Sequence, residues 1–271
     1  MTFSIVARSA DGESWGVAVA SKFLAVGSAV PAAVAQVGAI ATQADANVAY
    51  KGMALAHLDE GATASVALTR LLEEDDGREH RQVGIVDVDG AAATHTGSEC
   101  LDWAGGRTGA GYAIQGNILT GPEVVAAMER AFLDSEVDGP LEDRLLAALE
   151  AGDAAGGDSR GRQSAALLVV RDQAGYGGND DIAVDLRVDD HPDPCHELAR
   201  LLELNRLYLT ASRDDEKVEV TTELRDELEA AARAAGSRDF LAWVGTENYE
   251  MRVAADASWI DRRILAILRD S

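Results

Sequence analysis

Lysine is nearly absent from this chain. Only Lys22, Lys51 and Lys217 occur in 271 residues, arginine supplies the rest of 24 basic side chains, and 47 acidic ones leave a net charge of −23. That balance excludes a nucleic-acid binder, which needs clustered Lys and Arg to neutralise phosphates, and argues equally against an anionic membrane surface. An acidic, lysine-poor surface suits a salt-rich cytoplasm, where screening suppresses self-repulsion, so a halophilic source is expected. The two cysteines, Cys100 and Cys195, are far apart and form no C-x-x-C pair, which excludes a disulfide scaffold or zinc knuckle. The five histidines show no metal-ligand spacing. His191 and His196, with Asp189, Asp190 and Asp193, read as an acidic loop entering a helix, and neither metal nor cofactor is expected. No apolar run is long enough to span a membrane, and no basic start precedes an apolar stretch, so a cytoplasmic protein is expected.

What is present is a hydrophobic fraction of 47 %, ample for one large domain or for a ~200-residue domain with an appendage. Residues 3–7 and 15–20 read as a hairpin closed by the turn at 9–13. Further strands are expected at 28–35 and 36–43, then helices at 50–57 and 62–74 from apolar residues at helical spacing. Asp89-Gly90 marks a tight turn between strands 81–87 and 91–96, since Asp-Gly supplies positive φ. Residues 105–111 read as a loop, 112–117 as a strand, and 123–133 and 141–151 as helices with prolines at their starts. Strands at 164–171 and 182–188 and a helix at 197–209 follow. Residues 212–217 are charged and linker-like, and helices are expected at 223–235 and 259–269. The fold class is α+β. Two strand groups flanked by paired helices point to a four-layer αββα sandwich, carrying a small, mainly helical C-terminal appendage.

Chemistry concentrates at the start. Met1 precedes a small residue, and its removal would leave Thr2 with both a hydroxyl and a free α-amine. A threonine hydroxyl needs a base, and an α-amine with an ordinary pKa of roughly 8 is neutral in about a tenth of molecules near pH 7. Thr2 therefore carries nucleophile and base in one residue. The plain alternative is an edge strand that happens to begin Met-Thr.

The stretches Thr2–Arg8, Gly16–Gly27, Val37–Gln43, His95–Gly97, Gln115–Leu119, Gly156–Ala165 and Asp185–Pro192 together resemble the domain-of-unknown-function 1028 family of N-terminal-nucleophile (Ntn) hydrolases. The resemblance covers about the first 210 residues and implies the Ntn sandwich and amide hydrolysis by the N-terminal residue. It divides the chain into an Ntn-like domain, 1–212, and a small helical module, 213–271. That module resembles a peptidoglycan-binding-like tail, although packing on the main domain or on a second subunit, hence a homo-oligomer, is the preferred reading.

The resemblance also implies the site. In Ntn enzymes such as proteasome β-subunits a buried lysine keeps the nucleophile's amine neutral. Lys22 is the candidate, with a surface lysine at a strand end as the alternative; it follows an earlier strand than the proteasomal lysine, and Ala20 stands where an acidic residue is found there. Gly116 and Asn117 can form an oxyanion hole, or a strand-end turn with a structural Asn. Asp158 and Ser164 occupy the place of the Asp and Ser that assist the amine. Arg160 or Arg162 can hold a substrate carboxylate in a two-pronged grip, or pair with Asp158 as loop structure. His95 suits an acid, a substrate contact or a satisfied strand-end histidine, and Gln43, Asp45 and Asn47 are expected over the pocket. The expected partner is a small polar amide, and a non-catalytic scaffold is the competing reading.

The charge generates a first prediction. The melting temperature should fall as salt drops from molar to tens of millimolar, because the screening length grows from ~3 Å to beyond ~10 Å. A melting temperature constant across that range removes the halophilic reading.

Overall fold

A computed structural model describes residues 2–270. The chain divides into two compact units, Met1–Arg200 and Leu201–Ser271.

The first unit opens with β1 (Thr2–Arg8) and β2 (Ser14–Ser21), the expected hairpin. A short helix α1 (Val26–Ala29) leads into β3 (Pro31–Val34) and β4 (Gly38–Ala44), so residues 28–30, expected to start a strand, are helical or cap the helix instead. The cause is local: the Ser164 hydroxyl accepts the Val26 N–H at 3.1 Å and fixes the first turn. Helices α2 (Tyr50–Asp59) and α3 (Ala64–Glu73) precede β5 (Arg81–Asp87) and β6 (Ala92–Thr96), which turn at Gly90 with φ +84 as Asp-Gly foretells. The stretch expected as a loop is instead a strand, β7 (Gly105–Gly109), paired with β8 (Tyr112–Asn117). Its glycines hide the strand pattern, yet they permit the pairing: a Cβ at Gly106 would stand 2.9 Å from the Ile114 carbonyl oxygen. Then come α4 (Glu123–Asp134), α5 (Leu141–Ala154), β9 (Ser164–Arg171), β10 (Ile182–Val188) and α6 (Pro194–Tyr208).

The strands form two antiparallel sheets. One runs β10-β9-β2-β1-β8-β7 and the other β3-β4-β5-β6. Strand β1 lies inside the larger sheet between β2 and β8, and alternation divides its residues between two faces. Val6, with Val17 and Val19 of β2, packs against Ala39, Ala41 and Val86 of the smaller sheet. Phe3 projects the other way, where a Cβ added to Gly152 of α5 would stand 3.2 Å from its ring. Ile40, Val83 and Ile85 on the far face of the smaller sheet pack against Tyr50, Ala54, Leu58, Ala67 and Leu71 of α2 and α3. Helix α5 covers β1 and β2, and α4 packs beside it.

The second unit contains β11 (Lys217–Glu219), α7 (Thr222–Ala234), α8 (Phe240–Thr246), β12 (Trp259–Asp261) and α9 (Arg262–Asp270). Strands β11 and β12 pair into a small sheet, so Lys217, expected to end the linker-like stretch, and 259–261, expected as helix, are strand instead. The division at Arg200 lies inside α6 rather than after Ser212, because the last turn of that helix, Leu207 and Tyr208, packs on the second unit's apolar core. Ser212 is buried and donates to Asp261 Oδ2 at 2.6 Å, and the buried Arg252 reaches the same oxygen at 2.8 Å, Glu216 Oε2 at 3.2 Å and the Arg206 carbonyl. The charged 212–217 stretch is thereby tied into the unit.

Removing one member of a buried ion pair strands the other, at about 3–5 kcal/mol. Arg252→Met should destabilise the second unit by about that much in urea titration, and adding Asp261→Asn should recover part of the loss. Equal stability of wild type and Arg252→Met would show that the pair contributes nothing.

Candidate active site

At one end of the larger sheet, four neighbouring strands present polar residues in a row. Thr2 of β1 lies opposite Asn117 of β8, and Ser21 of β2 lies opposite Ser164 of β9. Thr2 Oγ1 is 3.1 Å from Ser21 Oγ, which joins the two halves. All four are buried, with exposures of 1 % for Asn117, 6 % for Thr2, 2 % for Ser21 and 0 % for Ser164, so this end of an otherwise apolar sheet is built for polar groups.

The facing sheet answers with side-chain amides. Gln82 Nε2 donates to the Gly116 carbonyl at 2.7 Å and to Thr96 Oγ1 at 2.9 Å. A backbone carbonyl only accepts, so this contact fixes which way the Gln82 amide points. Its Oε1 then takes Gln43 Nε2 at 2.8 Å and Asn117 Nδ2 at 2.9 Å. Gln43 Nε2 also lies 3.2 Å from the Thr2 carbonyl oxygen, and Gln43 Oε1 accepts the Ser4 hydroxyl at 2.7 Å. Ser4 in turn accepts Gln115 Nε2 at 2.6 Å. Gln43, Gln82, Gln115 and Asn117 are each at most 1 % exposed, so the chain of amides is dry.

Beside Ser21 opens a cleft of ≈540 Å³ lined by Phe3, Ala20, Ser21, Asp153, Asp158 and Arg162 among others. Asp158 organises its wall. Its Oδ2 accepts the Lys22 N–H at 2.7 Å and its Oδ1 the Arg160 N–H at 2.9 Å, while Arg160 Nη2 approaches Oδ2 at 3.3 Å. Asp158 thus ties the end of β2 to the 156–163 loop. Ser164 ties the chain in a similar way, donating to the Phe23 carbonyl at 2.5 Å and accepting from the Val26 N–H. Arg162 grips Asp153 through Nε and Nη2 at 2.8 and 2.7 Å, and that carboxylate raises its pKa further.

Four candidates fall elsewhere or act differently. Lys22 comes one residue after Ser21 and is exposed; its Nζ donates to the Arg162 carbonyl at 3.1 Å, so the burial expected of an amine-tuning lysine is missing. His95 lies opposite Val83, whose side chain faces α2 and α3, and its Nε2 is 3.0 Å from the Arg78 carbonyl oxygen. Strand alternation therefore turns it away from Thr2, to which Thr96 and Thr94 are the neighbours that face inward. Asn47 Oδ1 accepts the Ala49 N–H at 3.2 Å in the turn ahead of α2, and its Nδ2 reaches Asp75 Oδ2 at 3.4 Å. Asp75 is held well below the usual carboxylate range by Arg81 and by the Tyr50 hydroxyl, and burial together with Asp75 pushes the Tyr50 phenol up. Asp45 joins the same cluster through Arg81 at 3.0 Å. Gly116 and Asn117 do flank Thr2, but the Gly116 carbonyl and Asn117 amide are engaged by Gln82.

The sequence reading missed Ser21, Gln82, Gln115 and Asp153. A signal existed for the glutamines: each interrupts an apolar strand at an alternate position, where a long polar side chain must find partners. Among the described residues no group of three or more His, Cys, Asp or Glu side chains can hold a metal ion, and no helix is long and apolar enough to cross a membrane.

A family model described as "Family of unknown function (DUF1028)" matches residues 2–198. The chain belongs to the DUF1028 family. The crystal structure of SPO2555 from Silicibacter pomeroyi, a DUF1028 protein, is 34 % identical, covers 79 % of this chain and 87 % of its own, and superposes with a TM-score of 0.69. Anbu, the ancestral β-subunit from Yersinia bercovieri, matches at 10 % identity over 75 % of this chain and 94 % of its own with a TM-score of 0.32, too low to carry an argument. Beyond the DUF1028 segment, residues 208–268 match a model described as "Putative peptidoglycan binding domain". No curated protein matches.

The amide chain generates a stability prediction for this DUF1028 member. Gln82→Leu strands the Gly116 carbonyl and the Asn117 and Gln43 donors, and should cost about 2–4 kcal/mol in chemical denaturation. A loss below about 0.5 kcal/mol would mean that these groups find other partners.

Proposed function

We propose that this DUF1028 member is an Ntn-type amidohydrolase acting on a small polar amide, and that its two sheets with their flanking helix pairs are the four layers of an αββα Ntn sandwich. The observation that carries the reading is the position of Thr2: its hydroxyl lies at the buried head of a strand inside the larger sheet, 3.1 Å from Ser21, which lines the cleft. Met1, whose removal the mechanism requires, lies outside the described residues. In the reaction the Thr2 hydroxyl adds to the amide carbon and passes its proton to the α-amine. The C–N bond then breaks and the leaving amine takes that proton. Water, deprotonated by the same α-amine, releases the acid from the ester and returns the proton to the Thr2 oxygen. Asn117 Nδ2 has a second hydrogen beyond the one given to Gln82, which suits it to the developing oxyanion. Ser21 takes the role of hydroxyl neighbour, while Asp158 and Ser164 hold the loops around it.

One observation favours the scaffold reading. Lys22 is exposed and donates to a backbone carbonyl, so the amine of Thr2 would lack a lysine partner of the proteasomal kind.

The two readings part at Thr2. Intact mass should show Met1 gone and a covalent adduct after a mechanism-based amide probe. Thr2→Ala should abolish labelling and turnover while leaving the fold intact, and Thr2→Ser should keep part of both. An uncleaved N-terminal tag should be nearly as damaging as Thr2→Ala, because it removes the base; full activity in the tagged protein rejects the mechanism.

A further inference from the structure

The cleft beside Ser21 contains a guanidinium fixed along one edge and open along the other. Arg162 gives Nε and Nη2 to Asp153, a side-on pair with both distances below 3 Å. A guanidinium has five N–H groups in a plane, and a side-on pair uses two of them. The remaining Nη1–Nη2 edge has the spacing that receives a second carboxylate in a parallel pair of hydrogen bonds. On that edge the nearest acidic group is Asp193, whose Oδ1 stands 3.9 Å from Nη1, outside hydrogen-bond reach. Arg162 and Asp193 are both half-exposed, whereas Asp153 is largely buried, with 13 % of its side chain accessible. Asp153 therefore acts as an anchor that holds the guanidinium in one orientation.

Arg160, the other arginine of the loop, is placed differently. It spends Nε and Nη2 on Asp158 and is not among the residues lining the cleft. In a chain of net charge −23, an anion is repelled by the protein as a whole, so a preorganised arginine fork is what a carboxylate would require. The rest of the lining completes a size and polarity. Phe3, Ala20, Pro192 and Pro194 supply apolar wall, Thr2 is not among the lining residues but its neighbour Ser21 is, and ≈540 Å³ suits a molecule of amino-acid or dipeptide size.

The geometry points to a carboxylate-binding subsite at Arg162, and so to N-acyl amino acids and short peptides with a free C-terminal carboxylate as the ligand class of this cleft. As a statement about substrates, this rests on the amidohydrolase reading. As a statement about binding, it does not.

The test reads binding alone, in full-length protein carrying Thr2→Ala so that nothing turns over. N-acetylalanine and its uncharged counterpart N-acetylalaninamide are titrated calorimetrically at one fixed salt concentration. The acid should bind at least tenfold more tightly than the amide, and adding Arg162→Gln should abolish that preference. Asp193→Asn removes the competing carboxylate and should tighten the acid by twofold or more without affecting the amide, a change in the direction that misfolding cannot produce. Equal affinity for acid and amide, binding of neither, a preference that survives Arg162→Gln, or no tightening in Asp193→Asn overturns the subsite. If Arg162→Gln does not fold, Asp193→Asn decides alone. An acid preference in a protein whose unmodified form hydrolyses nothing would overturn the hydrolase reading and leave the subsite standing.

Discussion

The buried amide chain Gln115–Ser4–Gln43–Gln82–Asn117 is the constraint on which the rest of this end of the protein depends. Elsewhere the sheets meet mostly through valines and alanines, which attract without direction. Here every contact has a donor and an acceptor, and the Gly116 carbonyl sets the polarity of the whole series by accepting from Gln82. A dry network of this kind strongly favours a single arrangement, because turning one amide over would place donor against donor. The Thr2 main chain is part of it through Gln43. The residue on which the proposed chemistry turns is thus held by the sheet opposite as well as by its own.

A second clamp works on the other side of the strand. Asp158 accepts N–H groups from both Lys22 and Arg160, and Ser164 joins Phe23 to Val26. These contacts fix the cleft wall and leave Arg162 to project into it. Of the residues singled out as assistants of the amine, Asp158 bonds two backbone N–H groups and the Arg160 guanidinium, and Ser164 bonds backbone groups of 23 and 26. Their contribution to the proposed reaction is therefore to position the loops.

Much of the framework was legible in the chain. The opening hairpin, the Asp-Gly turn and helices α2 to α5 follow from periodicity and turn chemistry, which act over a few residues. The misreadings have two causes: the glycines of β7 hide a strand whose partner, Tyr112–Asn117, follows almost at once, whereas 217–219 is a strand because Trp259–Asp261, far along the chain, lies alongside. A distant pairing partner leaves no local pattern. The linker-like character of 212–217 failed for a related reason, since charged residues look solvated until an Arg252–Asp261 pair buries among them.

At the candidate site the sequence by itself determined which polar residues stand near the ends of their strands, and so that Thr2, Asn117 and Ser164 were worth attention. It also determined the family, through short stretches distributed over the first two hundred residues. Which of those residues meet was decided only by the tertiary structure. Facing is a matter of alternation and of how two sheets stack: it put Gln82 and Ser21 next to the Thr2 row, turned His95 toward the helices, and left Lys22 at the surface. A strand's face is fixed by what covers it, and the covering sheet comes from another part of the chain.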